Sequence, residues 1–79
     1  MILDKLIEIF GKVMPGADAS KIKLESSLMG DLGINSLTMM LLAIMVEDEF
    51  GFHFEGDAKL DTVGDICNYI ADKTGLAVC

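Results

Sequence analysis

The stretch Asn35-Ser36-Leu37-Thr38-Met39-Met40-Leu41-Leu42-Ala43-Ile44-Met45-Val46-Glu47-Asp48-Glu49-Phe50-Gly51 decides the architecture. The amide oxygen of Asn35 can accept from free backbone N–H groups of a first helical turn, and Gly51 can take the left-handed conformation that ends a helix. One helix from Asn35 to Phe50 is therefore predicted. A bundle helix ordinarily buries one stripe, but this one is apolar nearly all round. At about 100° per residue, Met39, Ala43, Val46 and Phe50 share a face that is assigned to the core. Leu37, Met40, Leu41 and Ile44 form a second stripe roughly opposite, unable to reach the same core. Either the preceding chain folds across that stripe or it is a docking surface for partner proteins, and periodicity does not choose between the two.

On the N-terminal side, Leu3, Leu6, Ile7, Phe10, Val13 and Met14 recur at three- and four-residue steps, predicting an amphipathic helix over 2–14 that Pro15-Gly16 stops. Gly11 costs that helix about 1 kcal/mol relative to alanine, so packing must hold it. From Pro15 to Asn35 no period persists, and Ile22, Leu24, Leu28, Leu32 and Ile34 are spaced as pins that fasten a long loop to the core. On the C-terminal side, Phe52 and Phe54 lie in a linking segment and Asp57 to Leu60 can form one short helical turn. Thr62 stands three residues before Asp65 in a capping arrangement, and Val63, Ile66, Cys67 and Ile70 continue at helical spacing. A last helix over about 62–74 ends at Gly75. The expected fold is all-α: one domain over 1–79, a small antiparallel four-helix bundle of three main helices and one short helix, with a long first loop.

The chain has 79 residues, 13 acids, six bases that are all lysine, a net charge of −7 and 52% hydrophobic residues. A chain this short buries only about 60% of the surface it exposes when unfolded, which leaves too little material to wall in a deep active site. Its acidity excludes nucleic acid and favours basic protein patches. Met1-Ile2-Leu3-Asp4-Lys5 interrupts the apolar run that an export signal needs. The run from Leu37 to Val46 is about half of the roughly 20 residues that span a bilayer, so the chain is not expected to cross a membrane. Cys67 and Cys79 form neither a disulfide framework nor a metal-ligand spacing, which suggests a reducing, cytoplasmic setting with Cys67 as packing and Cys79 as a terminal thiol. Eight acids but only two lysines lie between Glu47 and Lys73. Beside an exposed apolar stripe such a run steers basic partners.

Two chemistries fail on spacing. A hydrolase using Ser36 would need the single histidine, His53, which lies beyond the far end of a helix about 22 Å long. Asp57, Asp61 and Asp65 are four apart, whereas a calcium-binding hand requires two-residue steps. No catalytic residue and no metal site is expected.

There remains Gly30-Asp31-Leu32-Gly33-Ile34-Asn35-Ser36-Leu37, where Ser36 sits at the positive end of the helix dipole and Gly33 leaves room for an approaching enzyme. Asp31, Leu32, Gly33, Asn35, Ser36 and Leu37 resemble the D-L-G-x-D-S-L signature of acyl carrier proteins. Glu47-Asp48-Glu49-Phe50-Gly51 is similar to the acidic close of that family's second helix, and Thr62-Val63-Gly64-Asp65-Ile66 with Tyr69-Ile70 to the opening of its fourth. The resemblance covers nearly the whole chain. It implies that a phosphopantetheinyl transferase attaches a 4′-phosphopantetheine arm from coenzyme A to Ser36. The arm's thiol would then hold acyl groups as thioesters for acyl-transferring or acyl-activating and condensing enzymes. Leu37, Met40, Leu41, Ile44, Glu47 and Asp48 become the expected partner surface. Asn35 replaces the family's usual aspartate, and Thr38 and Leu41 stand where fatty-acid carriers usually show acids. These departures point to a specialised fatty-acid or polyketide pathway with a more apolar interface. The expected form is a freestanding, monomeric, cytoplasmic carrier. An aminoacyl or peptidyl carrier would use the same serine, and an unmodified helical adaptor would use only the stripe and the charge.

Overall fold

Local capping chemistry sets the helices of the computed structural model, which describes residues 2–16, 18–56 and 59–78. Helix α1 runs Ile2–Val13, α2 Ser36–Phe50 and α3 Val63–Thr74. Asn35 and Gly51 bracket α2 as expected, with Gly51 left-handed at φ 71°. Thr62 and Gly75 bracket α3 in the same way. The Thr62 hydroxyl accepts from Asp65 N–H while the Asp65 carboxylate accepts from Thr62 N–H, a reciprocal capping box. Helix α1 ends one residue short of the expected Met14, although Met14 N–H still donates to the Phe10 carbonyl. The short helical turn expected at Asp57 to Leu60 rests on residues 57 and 58, which lie outside the described residues; Lys59 and Leu60 are not helical. Cys79 also lies outside them. Among the described residues there is no strand, only an isolated antiparallel bridge between Ser27 and Thr62. Nor is any helix long and apolar enough to cross a membrane.

Helix α1 packs against both α2 and α3. It contributes Ile2, Leu6, Ile9 and Phe10 to the core; α2 adds Leu42 and Val46, and α3 adds Val63, Ile66, Cys67 and Ile70. Burying each large side chain of this kind stabilises the fold by about 1.5–3 kcal/mol. The expected inner face of α2 is corrected in phase. Leu42 and Val46 are buried, whereas Met39, Ala43 and Phe50 are only half-buried. Met39 and Ala43 turn instead toward Phe54 and Leu60 of the segment after α2.

The first loop contributes Ile22, Leu28 and Ile34 to the core, with Leu32 half-buried. Leu24 is 36% exposed and is not a pin. Its backbone serves instead, since the Leu24 carbonyl accepts from Gly64 N–H at 2.7 Å. The same carbonyl lies 3.0 Å from where a Cβ on residue 64 would sit, which explains the glycine at the start of α3. Val63 N–H donates to the Ser26 carbonyl and Leu28 N–H to the Asp61 carbonyl. Buried Ser26 accepts from Lys23 N–H and donates to the Lys21 carbonyl, so its hydroxyl is satisfied.

Candidate carrier site at the start of α2

Three local devices bring Ser36 to the surface. Ile34 is buried, and its N–H donates to the Leu28 carbonyl at 2.9 Å, which anchors the chain just before the helix. Gly33 takes φ 67° with no atom within 4 Å of a would-be Cβ, so this turn requires glycine for its backbone conformation rather than for lack of space. The extended Asn35 accepts from Thr38 N–H through Oδ1 at 2.8 Å. Ser36 follows as the first residue of α2 and is exposed, where N–H groups without intrahelical partners concentrate positive potential.

Asp31, expected only as part of a signature, also shapes the turn before the site. Its carboxylate accepts from Ser27 N–H at 2.7 Å, while its own N–H donates to the Ser27 carbonyl. Gly30 N–H donates to the Ser27 hydroxyl. Together these bonds close the turn that precedes Gly33. Leu32 packs half-buried against the core.

The second stripe of α2 is open. Leu37 is 68%, Met40 61%, Leu41 49% and Ile44 56% exposed. The first loop does not fold across it, since Ile22, Leu28 and Ile34 of the loop go to the core and the stripe stays exposed, so the covered-stripe alternative is overturned. Met29, 69% exposed in the loop, adds a large apolar group that sequence periodicity could not flag. The first turn of α2 carries no acid. Of the two acids expected beside the stripe, Asp48 is exposed. Glu47 is half-buried and accepts from Phe54 N–H at 2.8 Å through one oxygen, while the other lies 3.9 Å from His53 Nδ1. His53 is thus placed at the opposite end of α2 from Ser36.

Behind the stripe, Met39, Leu42, Ala43, Val46, Phe54, Leu60 and Ile66 surround a space of about 10 Å³. No group of three or more His, Cys, Asp or Glu side chains able to hold a metal occurs among the described residues.

An exposed serine on a capped helix start, flanked by an open apolar stripe, matches one known class. Residues 4–70 fit the family model for the phosphopantetheine attachment site. The chain is 38% identical over 76 residues to an acyl carrier protein of Clostridium acetobutylicum, covering 94% of this chain and 97% of that one. It is 39% identical to an acyl carrier protein of Thermobifida fusca (87% and 89% covered) and 42% identical to one of Thermotoga maritima (86% and 94% covered). The chain belongs to the acyl carrier protein family. Its prosthetic group is 4′-phosphopantetheine, and it serves enzymes as a carrier rather than acting as one.

Proposed function

We propose that Ser36 carries the phosphopantetheine arm and that the chain holds acyl intermediates on it as thioesters. The observation that carries the reading is the exposure of Ser36 at the capped start of α2. The residues present fit the group: Ser36 is open to solvent, the space beside Gly33 is empty, and a phosphodiester on Ser36 would lie in the favourable potential of the helix N-terminus. When bound, the group supplies a thiol on a long flexible tether. In the attachment step Ser36 Oγ forms a bond to the β-phosphorus of coenzyme A and the phosphorus–oxygen bond to the adenosine bisphosphate portion breaks. The hydroxyl proton passes to a base of the transferase. Intact mass after incubation with coenzyme A, magnesium and a broad-specificity phosphopantetheinyl transferase tests this. Wild type should gain one phosphopantetheinyl group and Ser36→Ala none; a modified Ser36→Ala sinks the assignment.

The proposal extends to a single monomeric, cytoplasmic carrier domain. It assigns Leu37, Met40, Leu41 and Ile44, with Glu47 and Asp48, to partner docking. The absence of acids early in α2 supports a specialised fatty-acid or polyketide pathway. Leu41→Glu should change stability by less than about 0.5 kcal/mol, as an exposed site allows, while slowing acyl transfer from a cognate enzyme. A loss of several kcal/mol would place Leu41 among structural residues instead.

A further inference from the structure

A groove of about 470 Å³ opens at the end of α2 remote from Ser36. It is lined by Asp4, Lys5 and Glu8 of α1, Glu49 and Phe50 of α2, and Leu76 of the C-terminal tail. Phe50 is half-buried and Leu76 is 49% exposed, so an apolar strip faces solvent between charged walls. Three carboxylates and one ammonium border the strip, and Lys5 already lies 3.7 Å from Glu8. Glu49 forms no ion pair among the described residues. The tail that builds one wall is tied down, since the N–H groups of Ile2 and Leu3 donate to the carbonyls of Ala77 and Val78 at 3.2 and 2.9 Å. The groove is therefore preformed.

We infer that this groove docks an arginine-bearing apolar segment of a partner protein, distinct from the surface around Ser36. An arginine side chain has an apolar stem and a charged planar head, which match the apolar Phe50 and Leu76 and the Glu49 carboxylate beside them. A wholly apolar ligand would desolvate Glu49 without giving it a partner, and an anion would meet net negative charge. Helix α2 is about 22 Å long in a body 29 Å in its longest dimension, so a partner seated here leaves Ser36 uncovered. Such a partner keeps hold of the carrier while the serine end visits another site. The inference concerns the unmodified chain and stands apart from the attachment reading.

Hexylguanidinium, added to nitrogen-15-labelled unmodified protein, tests it. Amide shifts of residues 4, 5, 8, 49, 50 and 76 should saturate at concentrations about tenfold below those at which guanidinium alone or hexanol alone acts, because stem and head bind together. Glu49→Gln, an exposed and nearly isosteric change, should weaken the response about threefold, in line with one exposed charge pair. Ser36→Ala should respond as wild type does, which separates this test from that of the attachment site. The inference is overturned if the largest shifts fall at residues 44–53, or if hexanol matches hexylguanidinium. It is equally overturned if magnesium chloride produces the same shifts at lower concentration, or if sedimentation shows a dimer that Glu49→Gln disperses.

Discussion

The two connections that flank α2 are held in opposite ways. The first, residues 18–35, has only one 3₁₀ turn of regular structure, Ala19–Lys21, capped by Asp18. It is nonetheless fastened by backbone bonds to the start of α3 and by buried Ile22, Leu28 and Ile34. The second, residues 51–61, buries none of its described side chains fully. Apart from backbone bonds at its two ends, such as Phe52 N–H to the Glu47 carbonyl and Leu28 N–H to the Asp61 carbonyl, it is held by side chains: Glu47 accepts from Phe54 N–H, and the Tyr69 hydroxyl accepts from Glu55 N–H at 2.8 Å. The Phe54 ring lies 4.9 Å from the rings of both Phe52 and Tyr69. Lack of regular structure is thus no measure of looseness. If the proposed attachment at Ser36 holds, a carrier gains from this asymmetry, because the serine is fixed in place while the side facing a cargo chain is held by fewer buried contacts.

The hardest blow to that contrast would come at Leu28, fully buried in the first loop. Leu28→Ala should cost about 2–5 kcal/mol in urea unfolding, the usual loss for a leucine in a closed core. A loss below about 1 kcal/mol would mean that the loop is only draped on the helices.

A smaller effect is expected at Asp65, where the second connection meets α3. Its carboxyl lies below the ordinary value of 3.8, held there by the backbone N–H groups of Asp61 and then Thr62, with the Thr62 hydroxyl adding a little and partial burial opposing. A carboxylate depressed in the folded state stabilises the fold fully above its unfolded value and loses that contribution as pH falls from 3.8 through the folded value. Asp65→Asn keeps an amide oxygen that can accept but removes the charge that strengthens these bonds, so it should cost less than about 1 kcal/mol at neutral pH. The two melting curves should converge as the pH drops below 3.8. Parallel curves would show that the carboxylate is not the source.

The gentlest test compares the connections directly. Loading an acyl chain on Ser36 should move amides near Phe54 and Leu60, which border the small space behind α2, and leave 22–32 nearly unmoved. Methionines such as Met39 and Met45 can repack around a guest at little cost. Shifts confined to residues 34–38 would show the load staying in solvent and would favour the aminoacyl or peptidyl alternative.

What can be read from the sequence follows the range of the forces. Helices α2 and α3 are legible because their stops are local: Asn35 and Gly51, Thr62 and Gly75 act within a few residues. The place of Ser36 at the start of α2 is legible for the same reason, since it stands directly after its cap. The phase of α2 is not, since a helix apolar nearly all round offers periodicity no single face, and Leu42 therefore goes unassigned to the core. The role of Asp31 and the exposure of Leu24 are hidden because the long loop folds by bonds without a period: Asp31 to Ser27, and the Leu24 carbonyl to Gly64. Met29 escapes notice on the same ground.

The pairing of Ile2 and Leu3 with Ala77 and Val78 has a topological consequence. Residues near the two ends of the chain are hydrogen-bonded neighbours, so the backbone is close to a ring that happens to be cut there. Joining the ends with a short linker and cutting elsewhere, at the exposed turn of Pro15 and Gly16 for instance, would alter the order in which the helices are synthesised but sever no helix. Ser36 would then belong to the first long helix made instead of the second.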